Sequence, residues 1–156
     1  EVTQLPSEPD NPYALALDVY LRGVAAILLL LGLRQWLYIA GVFQDDGWSF
    51  ETMSTQWRFV TIHLAVVDLV AAVGLWMRVA WGNVIWIYVA LFEIAMHTVF
   101  AETFGLNLFV VSFHVIALLV FVGLLVMSRR HEAATIDDLA ALTGARIGRI
   151  GMPAAA

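Results

Sequence analysis

The sequence predicts an all-α polytopic membrane protein, a bundle of four transmembrane helices, and three observations carry that prediction. Hydrophobic residues make up 62% of the chain against 13% charged, and the mean hydropathy of +0.84 lies far outside soluble usage. Four apolar runs of spanning length leave only two ends and three turns in 156 residues, with no room for a soluble catalytic domain. A backbone exposed to lipid has to satisfy its own hydrogen bonds, so runs of this kind become helices.

Residues 1–18 open with Pro6, Pro9 and Pro12 among polar side chains and read as a mostly disordered tail. They lack the basic stretch and short apolar core of a signal peptide. A transmembrane domain over 19–128 follows, with spans at about 19–43, 57–77, 83–104 and 106–127. Gln44-Asp45-Asp46-Gly47 ends the first span, Arg78 closes the second, and Trp81-Gly82-Asn83 turns the chain into the third. Residues 129–156 turn soluble in character. There Thr135-Ile-Asp-Asp-Leu reads as the start of a short capped amphipathic helix ending near Gly144, with Ile136, Leu139 and Leu142 on one face. Gly23, Gly32, Gly41, Gly74 and Gly123 read as close-packing positions between helices.

Arg22, Arg78, Arg129 and Arg130 fall on one side of this topology, which the positive-inside rule makes cytoplasmic together with both termini. Asp45, Asp46, Glu51 and Glu102 fall on the other, which in a bacterial inner membrane is the periplasmic side. Trp48, Trp57, Trp76 and Trp81 are placed as interfacial anchors. The net charge of −5 with no basic tract argues against a nucleic-acid partner. The absence of cysteine excludes disulfides, thiolate-held iron-sulfur clusters and CxxC redox chemistry, so a metal would need His and carboxylate ligands.

Ionisable residues inside apolar spans are costly, and they commonly mark a working site. His63, Asp68, Glu93, His97 and His114 lie in such spans, with Arg34 and Tyr38 four apart in the first. Counting back from the turns near 80 and 105 at about 1.5 Å per residue puts His63, His97 and His114 at one height, with Asp68, Glu93 and Arg34 about a turn deeper. Glu93 and His97 share a helix face, whereas His63 and Asp68 are about 140° apart, so both face one site only by flanking the inward direction. Two readings stay open. In one, His63, His97, His114 and Glu93 bind a metal or haem, or the wider cluster serves a quinone or protons. In the other, Arg34, Asp68 and Glu93 form an ion-pair network that only holds helices together.

Tyr20-Leu-Arg-Gly, Leu30-Leu-Gly-Leu-Arg-Gln and Asp68-Leu-Val-Ala-Ala-Val-Gly-Leu followed by Arg78 resemble the first two helices of DoxX-like membrane proteins, over roughly 19–127. The chain also resembles uncharacterised four-span families related to them. The resemblance implies a small inner-membrane subunit associated with oxidoreductases that handle quinones, thiols or oxidative stress, with Arg22, Gly32, Asp68, Gly74 and Arg78 as pattern residues. The histidines and Glu93 stand outside that pattern. The expected function is an accessory subunit of a membrane redox complex, in contact with lipid and with other membrane subunits or copies of itself. A self-contained metal or haem protein and a structural assembly subunit are the alternatives.

Overall fold

A computed structural model describes the backbone of residues 11–42 and 49–150, and side chains as far as residue 143. The chain is 86% helical, and no strand occurs among the described residues. The helices are α1 (Pro12–Ile39), α2 (Thr55–Trp76), α3 (Ala80–Thr98), the single turn α4 (Ala101–Phe104) and α5 (Leu108–Ile150). Four of them, α1, α2, α3 and α5, are long and apolar enough to cross a membrane. This is a multi-pass membrane protein. Leu30, Phe59, Val84 and Leu119, one from each long helix, are exposed as a lipid-facing surface requires.

Helix ends follow local chemistry more closely than hydropathy. α1 begins at Pro12, well before residue 19. Asn11 caps it with Oδ1, accepting from the N–H groups of Tyr13 and Ala14 at 3.1 and 3.2 Å, and Pro12 takes the first position, where its missing N–H costs nothing. It ends at Ile39, and Gly41 turns the chain with φ 70°. The polar stop at Gln44–Gly47 and the anchor Trp48 lie outside the described residues. Ser54 caps α2 through its Oγ, which accepts from the Trp57 N–H.

The third span is interrupted. α3 stops at Thr98, whose hydroxyl donates back to the Ile94 carbonyl at 2.6 Å, and α4 ends at Gly105 with φ 80°, a conformation that suits glycine. The separate C-terminal helix expected near Thr135 does not form. α5 runs on without a break because the Thr135 hydroxyl donates to the His131 carbonyl one turn back instead of capping a new start.

The chain divides into two compact units. In the smaller one, the start of α1 meets the part of α5 beyond Val122: Asn11 Nδ2 donates to the Ser128 carbonyl at 3.2 Å, and the rings of Tyr13 and His131 meet edge to face. The larger unit, Asp18–Phe121, contains the candidate site. Its core centres on Trp86, 2% exposed, with Tyr20 and Phe121 edge-on to its ring. Tyr20 Oη donates to the Ala117 carbonyl at 2.6 Å, tying α1 to α5, and Trp36 Nε1 donates to the Ala65 carbonyl at 2.9 Å, tying α1 to α2.

α2 and α3 form the tightest hairpin of this unit. A Cβ at Gly82 would stand 2.3 Å from the Gly74 carbonyl carbon. In the turn between them Arg78 adopts φ 59°, left-handed and unusual for a side-chain-bearing residue, and its guanidinium is ion-paired with Asp18. Asp18 also lies 3.4 Å from Arg22 Nε, so both pattern arginines gather on one carboxylate. Of the five glycines expected to serve close packing, Gly32 and Gly74 do so. A Cβ at Gly23 or Gly123 would meet nothing within 4 Å among the described residues, and Gly41 serves its turn.

Candidate functional site

α2 buries one stripe, Val60, Thr61, Leu64, Ala65, Asp68, Ala71, Ala72 and Leu75. Asp68 falls on that stripe and His63 does not. The 140° between them is thus resolved in favour of the carboxylate. His63 is half-buried elsewhere: its Nε2 is hydrogen-bonded to Tyr88 Oη at 3.0 Å, and its ring packs on Phe59 and Phe92. The three-histidine layer is not assembled.

The remaining expected residues do meet. Arg34 and Tyr38 of α1, Asp68 of α2, Glu93 and His97 of α3 and His114 of α5 line one cavity of about 590 Å³, a volume in the range of small-molecule sites. Met53 and Asn107 also line it, just ahead of α2 and α5. It reaches to Asp68, thirteen residues into α2 and so roughly 20 Å along that helix. Trp57, Phe109 and Phe113 add aromatic wall.

The two cavity histidines are oriented by carbonyls. His97 Nδ1 lies 2.9 Å from Gly105 O and His114 Nδ1 lies 2.9 Å from Val110 O. A carbonyl oxygen only accepts, so both Nδ1 atoms carry the proton, and Nε2 is in each ring the nitrogen left for other work. For His114 that nitrogen faces Glu93 Oε2 at 3.8 Å. One proton between imidazole and carboxyl is what the pair can exchange. Matching heights about residue 105 put His97 opposite His114. The structure puts Glu93 there, because the chain turns through α4 and Asn107 and the two helices do not fold symmetrically about Gly105.

Asp68 is the exceptional member. It is 1% exposed, and neither carboxyl oxygen has a hydrogen-bond partner among the described residues. Arg34 lies on the same cavity, yet no ion pair joins it to Asp68 or Glu93 among the described residues. Gly32 presses α1 on this point, where a Cβ would come within 2.9 Å of the Leu69 side chain and 3.2 Å of Asp68 Cβ. Nor do three His, Asp or Glu side chains gather as metal ligands among the described residues. Of the set His63, His97, His114 and Glu93, His63 lies in the aromatic cluster outside the cavity, and the other three line the cavity without gathering as ligands.

Thr61 and Asn107 are cavity residues that charge and histidine counting missed. Thr61 was within reach, being two turns ahead of Asp68 on the same helix face. The Gly105 carbonyl that fixes His97 had no signal in the sequence beyond the glycine itself.

Residues 15–132 match the model of a family of unknown function, DUF6163, a stretch that takes in most of α1, all of α2 and α3, α5 as far as Glu132, and every cavity residue named above. The chain belongs to the DUF6163 family. No curated protein and no solved structure matches it. All the residues that line the cavity of this DUF6163 chain lie within the matched stretch.

Proposed function

We propose that this protein is a small accessory subunit of a membrane redox complex, which binds a quinone-class ring in the cavity. The observation that carries the reading is Asp68, a fully buried carboxyl on the cavity wall whose two oxygens have no hydrogen-bond partner among the described residues. Leaving such a group unpaired costs about 1–3 kcal/mol, which folding alone gives no reason to bear. A ligand that hydrogen-bonds it restores the loss. The ring oxygens of a quinone or quinol suit the two proton-exchanging stations, Asp68 on one side and the Glu93–His114 pair on the other, while the aromatic wall suits a flat ring. Arg34 and Tyr38 contribute donors from α1.

A purely structural network would instead bring Arg34 into direct contact with Asp68, and among the described residues the guanidinium acts on Asp68 and Glu93 only at longer range, with no ion pair within 4 Å. The redox setting draws on the resemblance of residues 19–127 to DoxX-like proteins. The arginine distribution favours cytoplasmic termini, the same resemblance favours a bacterial inner membrane, and other subunits or a second copy complete the assembly.

The test is quinone binding by detergent-solubilised protein, followed by quenching of tryptophan fluorescence. Glu93→Ala is expected to weaken binding by about tenfold or more, the worth of one charge-assisted hydrogen bond, and His63→Ala to leave it unchanged. Equal affinity for both variants and the parent, with all three folded, would overturn the assignment of the ring to this cavity.

A further inference from the structure

We infer that the ligand carries a hydrocarbon tail, which lies in the groove between α1 and α5 and reaches the cavity sideways from the bilayer. This deepens the ring-binding reading and rests on it. A second, apolar space of about 340 Å³ is lined by Tyr20, Gly23, Val24, Ile27, Phe113, Ile116, Ala117 and Val120. It shares Ile27 and Phe113 with the polar cavity. Phe113 also stands edge-on to the His114 ring, so the polar site and the groove meet at one aromatic wall. Ile27 lies seven residues, two turns, before Arg34, and so on the same face of α1.

Two features fit a tail. The groove is open outward, with Ile116 60% and Val120 42% exposed on its edge, and its residues fall in the middle of α1 and in the first half of α5, at hydrocarbon depth. Gly23 keeps it clear, since a Cβ there would meet nothing within 4 Å. Another apolar groove, at Phe59, Phe92, Phe100 and Phe104, also borders the cavity, through Val60 and Met96. It starts at Thr55 and Gln56 in the first turn of α2, at the helix end. An acyl or isoprenoid chain belongs at the deeper level.

The experiment compares decylubiquinone with tail-less ubiquinone-0, binding to the parent protein, Gly23→Leu and Gly23→Ala in the same detergent. Leucine projects into open groove without a backbone clash, and displacing two methylenes of tail accounts for about a tenfold loss. The expected result is that Gly23→Leu binds decylubiquinone about tenfold more weakly while ubiquinone-0 affinity stays as in the parent, and that Gly23→Ala resembles the parent for both. Unchanged decylubiquinone binding by Gly23→Leu, or an equal loss of both ligands, overturns the tail assignment and leaves the ring site standing. Failure of the parent to bind either ligand overturns the ring reading, and the tail with it.

Discussion

Gly82→Ala is expected to destabilise the protein by about 3 kcal/mol, or to prevent its folding altogether. Alanine is the better helix former by about 1 kcal/mol, so at an open site the same change stabilises. Gly82 is not an open site. Its added Cβ would stand 2.3 Å from the Gly74 carbonyl carbon, 2.6 Å from the Gly74 oxygen and 2.6 Å from the Leu75 nitrogen, all of them backbone atoms. No rotamer change clears them, and α2 and α3 have to part. Gly123→Ala supplies the comparison, because nothing lies within 4 Å of its Cβ, and its thermal midpoint should equal or exceed that of the parent. A Gly82→Ala midpoint matching that of Gly123→Ala would show that the hairpin does not depend on this contact.

Asp68→Leu is expected to stabilise the fold by about 1–3 kcal/mol while abolishing ring binding. The sign separates the two accounts of the polar cluster. If Asp68 were half of a buried ion pair with Arg34, removing it would strand a charge and cost about 3–5 kcal/mol. With neither oxygen hydrogen-bonded, replacement by an apolar side chain relieves an unmet requirement, and the adjoining cavity accommodates the extra volume. Chemical or thermal unfolding in detergent reads the difference. A site that lowers stability in exchange for a ligand has a reason to be kept; a helix-holding network that lowers stability has none.

Hydropathy alone made the four spans legible, because lipid as solvent leaves the backbone few choices. It misplaced their ends where side-chain chemistry intervened, at the Asn11 cap with Pro12 and at Thr135, whose hydroxyl serves its own helix, whereas the boundary at Gly105 falls where hydropathy put it. The polar cluster was legible in composition and only partly in geometry. Helical periodicity had already set His63 and Asp68 against each other, and the buried stripe of α2 decided between them. Counting heights from the turns assumed symmetric hairpins, and the interruption at Val99 and Phe100 between α3 and α4 broke that symmetry. The glycines divided by a criterion hidden in the sequence: Gly74 and Gly82 face each other across a hairpin, whereas Gly23 faces an open groove.

The proposed reading reserves the buried carboxyl of Asp68 for a ligand. Extracting the protein, purified in mild detergent after incubation with decylubiquinone, and measuring retained quinone by mass spectrometry beside Asp68→Leu decides it. Close to one quinone per chain is expected in the parent and none above the detergent background in the variant. Background quinone in a folded parent, or equal retention by both proteins, would contradict it.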